Sequence, residues 1–187
     1  INLWRFNHSS WVNQQVSLLG FQRQPLPKPS HTNSLGTLVQ WQDVELAIDP
    51  SDYFEAKQLT IQLNILSILL GRPSIDKISI DQAYLETTPK KTATALLRSL
   101  LNLNAKHISI TNAIAVIGTT EVHGVNIELV KNGSIGGYSV QSSAHIRQAS
   151  LDIGFNYSAI LSLAKDDTLN FRDNNLASQT FFKQGSV

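Results

Sequence analysis

Apolar and polar residues alternate along most of this chain. The cleanest run sets Leu59, Ile61, Leu63 and Ile65 on one side and Gln58, Thr60, Gln62 and Asn64 on the other. That period of two is the pattern of a strand with one buried face. Leu35–Ile48 reads as an earlier strand, with Val44, Leu46 and Ile48 opposite Glu45 and Ala47. Ser74–Thr87 and the stretch from Lys106 to Ile117 are near copies: Ile78, Ser79, Ile80 and Ala83 recur, thirty residues on, as Ile108, Ser109, Ile110 and Ala113. Glu121–Val130 turns Val125, Ile127 and Leu129 inward. Tyr138, Val140, Ser142, Ala144 and Ile146 alternate next, then Leu151, Ile153, Phe155 and Tyr157. Asp166–Arg172 and Leu176–Lys183 read as two further strands, and Ser158–Lys165 as a loop or one helical turn.

The breaks between these runs carry turn chemistry. Asp49-Pro50-Ser51-Asp52 presets φ at Pro50, Gly118-Thr119-Thr120 turns the chain, and Asn132-Gly133 is a hairpin signal because both residues tolerate positive φ. Asn64–Leu70 fits a single helical turn stopped by Gly71-Arg72-Pro73. Thr88 precedes Pro89 as an N-cap precedes a first-turn proline. Ala93, Leu96, Leu97, Leu100 and Leu101 then share one helical face, with Lys90, Lys91 and Arg98 off it, which predicts a helix over about 88–102. Residues 1–35 hold no long period: Val16–Phe21 fits a short strand, and Pro25, Pro27 and Pro29 make Gln24–Ser34 a stiff, extended loop. The expected organisation is an N-terminal segment with a Pro-rich linker over 1–35 and a β domain over 36–187. Its fold class is mainly β (β-rich α+β). It is expected to be a curved or U-shaped antiparallel sheet of about nine strands, with an apolar concave face and one main helix.

Composition narrows the function. Only 16% of the 187 residues are charged, against about 25% in ordinary globular proteins, while Ser, Thr, Asn and Gln are plentiful. Neutral polar faces suit one-sided strands and argue against disorder. The net charge of +1 supplies no basic field for nucleic acid. With no cysteine, disulfides, thiolate catalysis and cysteine metal sites are excluded. No apolar run approaches the ~18 residues of a spanning helix. The chain starts at Ile1 and contains no methionine, so a segment upstream of Ile1 is expected.

No catalytic motif stands out. There is neither a G-x-S-x-G elbow nor a P-loop, and Gly133-Ser134-Ile135-Gly136-Gly137 lies between strands, where a bulged turn is the better reading. His107, His123 and His145 could in principle meet at zinc. Each falls on the face opposite its strand's apolar set, which makes them solvated sheet residues. Asp166, Asp167, Asp173, Asn174 and Asn175 lack EF-hand spacing. Lys90 and Lys91 could touch lipid headgroups, and Asn7, Asn132 and Asn156 match N-x-Ser, a pattern common by chance. What remains is collective: the inward aliphatics form a broad apolar face that cannot stay bare in water. A helix covers it, the sheet folds on itself, or acyl chains occupy it.

Three stretches carry a family resemblance: Trp41-Gln-Asp-Val-Glu-Leu-Ala-Ile-Asp-Pro, Phe54-Glu-Ala-Lys-Gln-Leu-Thr-Ile-Gln-Leu, and Leu69-Leu-Gly-Arg-Pro-Ser-Ile-Asp-Lys-Ile-Ser-Ile-Asp-Gln-Ala-Tyr-Leu-Glu. With Lys106-His-Ile-Ser-Ile-Thr-Asn-Ala and Val125-Asn-Ile-Glu-Leu, their order resembles the N-terminal part of the AsmA family. The resemblance covers residues 38–130 and, more loosely, 130–187. The chain departs from the family in lacking an anchor and in being short.

The resemblance implies a periplasmic β-groove, related to bridge-like lipid-transfer proteins and tethered by an N-terminal helix to the inner membrane of a Gram-negative cell. It implies a role in moving phospholipid toward the outer membrane; since the residues show no catalytic motif, the role is expected to be passive, with no enzyme activity and no cofactor or metal. The groove lining expected on this reading is Leu59, Ile61, Leu63, Ile78, Ile80, Ile108, Ile110, Val125, Ile127, Leu129, Val140, Ile146, Leu151, Ile153 and Phe155. Expected partners are phospholipid or another acyl-chain lipid, then envelope proteins or further sheet segments; nucleic acid is not among them. An alternative is a non-enzymatic module of an envelope or secretion assembly that pairs through exposed sheet edges. A lipid hydrolase is disfavoured because no nucleophile–base pair is visible.

Overall fold

The computed structural model describes residues 11, 28–33, 35–49, 52–87, 100–133, 137–148, 151–163, 169–173 and 180–184. Ten strands form among the described residues: β1 (His31–Thr32), β2 (Leu38–Asp49), β3 (Asp52–Leu63), β4 (Ile75–Thr87), β5 (His107–Ile117), β6 (Thr120–Asn132), β7 (Gly137–Gln148), β8 (Leu151–Leu163), β9 (Leu169–Asp173) and β10 (Thr180–Gln184). A short helix, α1 (Ile65–Leu69), joins β3 to β4. All ten strands belong to one open sheet in the order β1-β2-β3-β4-β5-β6-β7-β8-β10, with β9 also paired to β8. The protein is mainly β, as the alternation predicts. Among the described residues, sheet pairing already includes His31, ahead of residue 36.

One expectation needs correcting. The sheet is mixed, because β4 and β5 run parallel: Ile78 pairs with Ile108, Ser79 with Ser109 and Ile80 with Ile110. A parallel neighbour requires a long crossover, and residues 88–106 are that connection. The near-repeat therefore lies beside itself in register. The other described pairs are antiparallel. Of the helix expected over 88–102, Leu100, Leu101 and Asn102 are helical, and the rest lies outside the described residues, as does Val16–Phe21. Ser158–Leu163 is neither loop nor helical turn. It continues β8, because Ala159 and Leu161 keep the alternation and are buried.

A second feature is shared by five neighbouring strands. Successive inward residues should be two apart, yet each strand takes a step of three near its middle: Trp41 to Val44, Ala56 to Leu59, Ile80 to Ala83, Ile110 to Ala113 and Val122 to Val125; β4 takes a second at its start, from Ile75 to Ile78. The extra residues line up across β2–β5, and the one on β6 is displaced by a single rung, so the β5–β6 register shifts twice. Asp43, Gln82, Asn112 and Gly124, each with φ of 50–56°, mark the row on four of these strands. A left-handed residue inside a strand is a bulge, which bends the strand and strengthens its twist. One bulge alone would throw half a strand onto the wrong face. Bulges shared between neighbouring strands keep the core-facing residues on either side of the row on one face. The row ends at β7, which alternates without a break, so Gly124 and Val125 together oppose Ala144.

Candidate functional site

The apolar face is built from cross-strand ladders. One runs Val39, Ile61, Ile78, Ile108, Leu129, Val140, Ala159 across β2–β8. The next runs Trp41, Leu59, Ile80, Ile110, Ile127. Beyond the bulge row lie Val44, Ala56 and Ala83, then Phe54 with Leu85. Each ladder sets β-branched or aliphatic side chains directly opposite one another, the contact that stabilises sheets.

The structure places the expected lining residues in three groups. Leu59, Ile61, Leu63, Ile78, Ile80, Ile108, Ile110, Leu129 and Val140 are buried in a single core cluster, with Ile61, Ile78, Ile108 and Leu129 at 0% exposure. Val125 and Ile127 pack against that cluster and are partly buried. Ile146 and Ile153 pair with each other and are half-buried, while Phe155 is 38% exposed. Leu151 opposes Gln148 and Gln184 at the start of β8.

What covers the first group is the end of the crossover. Leu100, Leu101, Leu103 and Ala105 are buried in the same cluster as Ile78 and Ile108. The crossover is tied down where it meets the sheet: Tyr138 Oη donates to the Ala105 carbonyl at 2.8 Å, and Lys131 N donates to the Lys106 carbonyl at 2.8 Å. Burial pushes the Tyr138 hydroxyl pKa up, since its phenolate would lose water. Lys106 Nζ lies 2.7 Å from Asp76 Oδ1 and holds that carboxyl below its usual range. Trp11 and Ile68 pack against the same cluster. The face is thus closed over β2–β4 and over β5 as far as Ala113. Beyond the bulges it opens, at the end of β5 and on β6–β8: Val122, Ile146 and Ile153 are half-buried, and Ile117 and Phe155 are 39% and 38% exposed.

The opposite face is polar. A shallow trough of about 610 Å³ crosses β4–β8 there, bordered by Lys77, His107, Thr111, Asn126, Gln141 and Asn156 among others. Side chains on this face bond along and across the strands. Ser109 Oγ donates to Ser79 Oγ, Thr111 Oγ1 to Asp81 Oδ1, and Asn126 Nδ2 to Ser143 Oγ. The histidines do not converge. His107 Nε2 stands 2.9 Å from Glu128 Oε1, outside hydrogen-bond alignment. His123 and His145 are register partners further along β6 and β7, and His123 Nε2 is 3.3 Å from Glu121. Among the described residues, no three His, Cys, Asp or Glu side chains gather as a metal site.

Alternation alone missed two features of the site. The crossover lid is signalled by Leu100, Leu101 and Leu103 on the end of the connection. The bulge row is signalled by the spacing Ile-Ser-Ile-x-x-Ala itself, which steps by three in both copies. No model of a known protein family matches the chain, and no curated protein matches it.

Proposed function

We propose that this chain is an AsmA-like β-groove segment that holds phospholipid acyl chains on the β6–β8 part of its apolar face, in the periplasm of a Gram-negative cell. The observation that carries this reading is the gradient along one continuous face. It is dry over β2–β4 and the first part of β5 and turns half-exposed at Val122, Ile146, Ile153 and Phe155. An apolar surface that continues a core and then meets solvent suits a ligand with a tail to bury and a head to leave wet. Binding is passive. Each buried methylene contributes about 0.8 kcal/mol, and no residue has to ionise or attack.

Native mass spectrometry of gently purified protein, with lipid extraction from the same sample, tests the reading. Phospholipid should co-purify in defined amounts and return when delipidated protein is fed lipid. Protein that stays lipid-free under both conditions defeats it.

A further inference from the structure

The connection between β3 and β4 is built inside out. Asn64 caps α1: its Oδ1 accepts from the Ser67 amide at 3.0 Å, and its Nδ2 donates to Asp76 Oδ1 at 3.4 Å. Ser67 Oγ donates to the Asn64 carbonyl at 2.7 Å and accepts from the Ser74 amide at 3.0 Å. These polar groups are consumed within the protein. The aliphatics point away from it: Ile65, Leu66, Leu69 and Leu70 are 46%, 65%, 53% and 79% exposed. Leu35 in the β1–β2 turn, 62% exposed, stands at the same end, where Leu63 N bonds the Thr37 carbonyl at 2.7 Å. A surface helix facing water shows the reverse arrangement, with its apolar stripe inward. Scattered exposed leucines need no explanation, but five on two adjoining turns form a patch.

Charge at the two ends of the sheet differs in sign. The end with the aliphatics carries Arg72 in the β3–β4 connection, Lys106 ahead of β5 and Lys131 near the end of β6, against Asp76. The other end carries Asp49 and Asp52 at the β2–β3 turn, Glu86 near the end of β4, Glu121 at the start of β6 and Asp152 at the start of β8, against Arg147 near the end of β7 and Lys183 on β10. We propose that the Leu35/α1 tip docks onto a lipid bilayer bearing anionic headgroups. Ile65, Leu66, Leu69 and Leu70 enter the interface, and Arg72, Lys106 and Lys131 lie over the headgroups. A bilayer offers what this end lacks: apolar depth immediately beneath a negative surface. A second copy docked tip to tip would instead bring two cationic ends together. The proposal stands independently of acyl-chain binding by the β6–β8 face.

The chain contains no cysteine, so single labels report single places. Leu66→Cys and, at the far end, Glu121→Cys are labelled with an environment-sensitive fluorophore. Each is mixed with vesicles of phosphatidylcholine and phosphatidylglycerol, and with vesicles of phosphatidylcholine alone. The expected result is a blue shift at position 66 and none at 121, with anionic vesicles favoured and binding weakened by salt. In co-sedimentation of the unlabelled chain, the Leu66→Glu/Leu70→Glu variant should lose binding about tenfold or more. Both positions are exposed, so circular dichroism should be unchanged. Three results overturn the proposal: no vesicle binding, binding that survives the double variant, or self-association that the double variant abolishes while vesicles are ignored. None of these readouts depends on lipid held by the β6–β8 face, which is scored on vesicle-free protein.

Discussion

Ser109 donates a hydrogen bond to Ser79 at 3.2 Å across the parallel β4–β5 pair, thirty positions apart in sequence. Thr111 bonds Asp81 at 2.6 Å with the same offset. The two copies of the repeat are thus adjacent rungs, aligned residue for residue on both faces. Ile78 and Ile108 meet beneath the crossover leucines, while the serines meet on the polar side.

The two faces of this rung should differ in energetic weight. Ile78→Ala removes a fully buried side chain and should cost about 2–5 kcal/mol. Ser79→Ala removes one neutral, part-buried hydrogen bond and should cost about 0.5–1.5 kcal/mol. Urea denaturation of both variants checks the order. Equal losses would mean that the serine contact holds the parallel pair as strongly as the aliphatic one and would overturn the ranking.

The bulge row predicts a sensitivity that alternation would not. Asn112 has φ of 53°, and its amide donates to Asn126 Oδ1 at 3.0 Å. Asn112→Gly keeps that conformation at no steric cost and should leave stability within a few tenths of a kcal/mol. Asn112→Val puts a β-branched residue in the left-handed region and should cost about 1–2 kcal/mol. Thermal melts of the two variants separate them; a tolerated valine would show that the backbone bulge is not required there.

Tyr138 links stability to alkaline pH. Its hydroxyl is buried against the Ala105 carbonyl, and burial raises its pKa above the ordinary value of 10.0. An acid held neutral in the fold contributes stability below its unfolded pKa and loses it as pH rises through the folded one. The wild type should therefore exceed Tyr138→Phe by about 1 kcal/mol near neutrality. That advantage should shrink and vanish above pH of about 10. Denaturation midpoints of both proteins against pH measure the gap, and a gap that widens with pH contradicts the assignment.

Much of this was legible in the residues, and the exceptions have physical causes. Alternation located the long strands because each has one dry and one polar face, as Leu59 and Ile61 beside Thr60 and Gln62 show. It could not choose the direction of pairing, since an inward ladder of isoleucines forms equally well either way. The parallel choice is dictated by the crossover, which returns the chain to the end where β4 began. Nor could alternation separate a dry core from an open groove. Ile110 and Ile153 are both inward members of alternating strands, yet Ile110 is 8% exposed in the cluster that holds Leu100, Leu101 and Leu103, while Ile153, on a rung beyond the bulges, is half-buried.

That difference yields the sharpest test of lipid binding. A charge at Ile110, deep in the core cluster, should unfold the domain and say nothing about lipid, since burying an unpaired ammonium is prohibitive. A charge at Ile153 meets solvent and should leave the fold standing. Ile153→Glu should therefore keep its β-sheet circular dichroism while phospholipid recovered by native mass spectrometry falls several-fold. Ile110→Lys should show loss of structure instead. The exposed polar-face change Gln141→Glu, on the opposite side of β7, controls for added negative charge and should load lipid like the wild type. Lipid retained by folded Ile153→Glu would place the acyl chains elsewhere, and the β6–β8 assignment would fail.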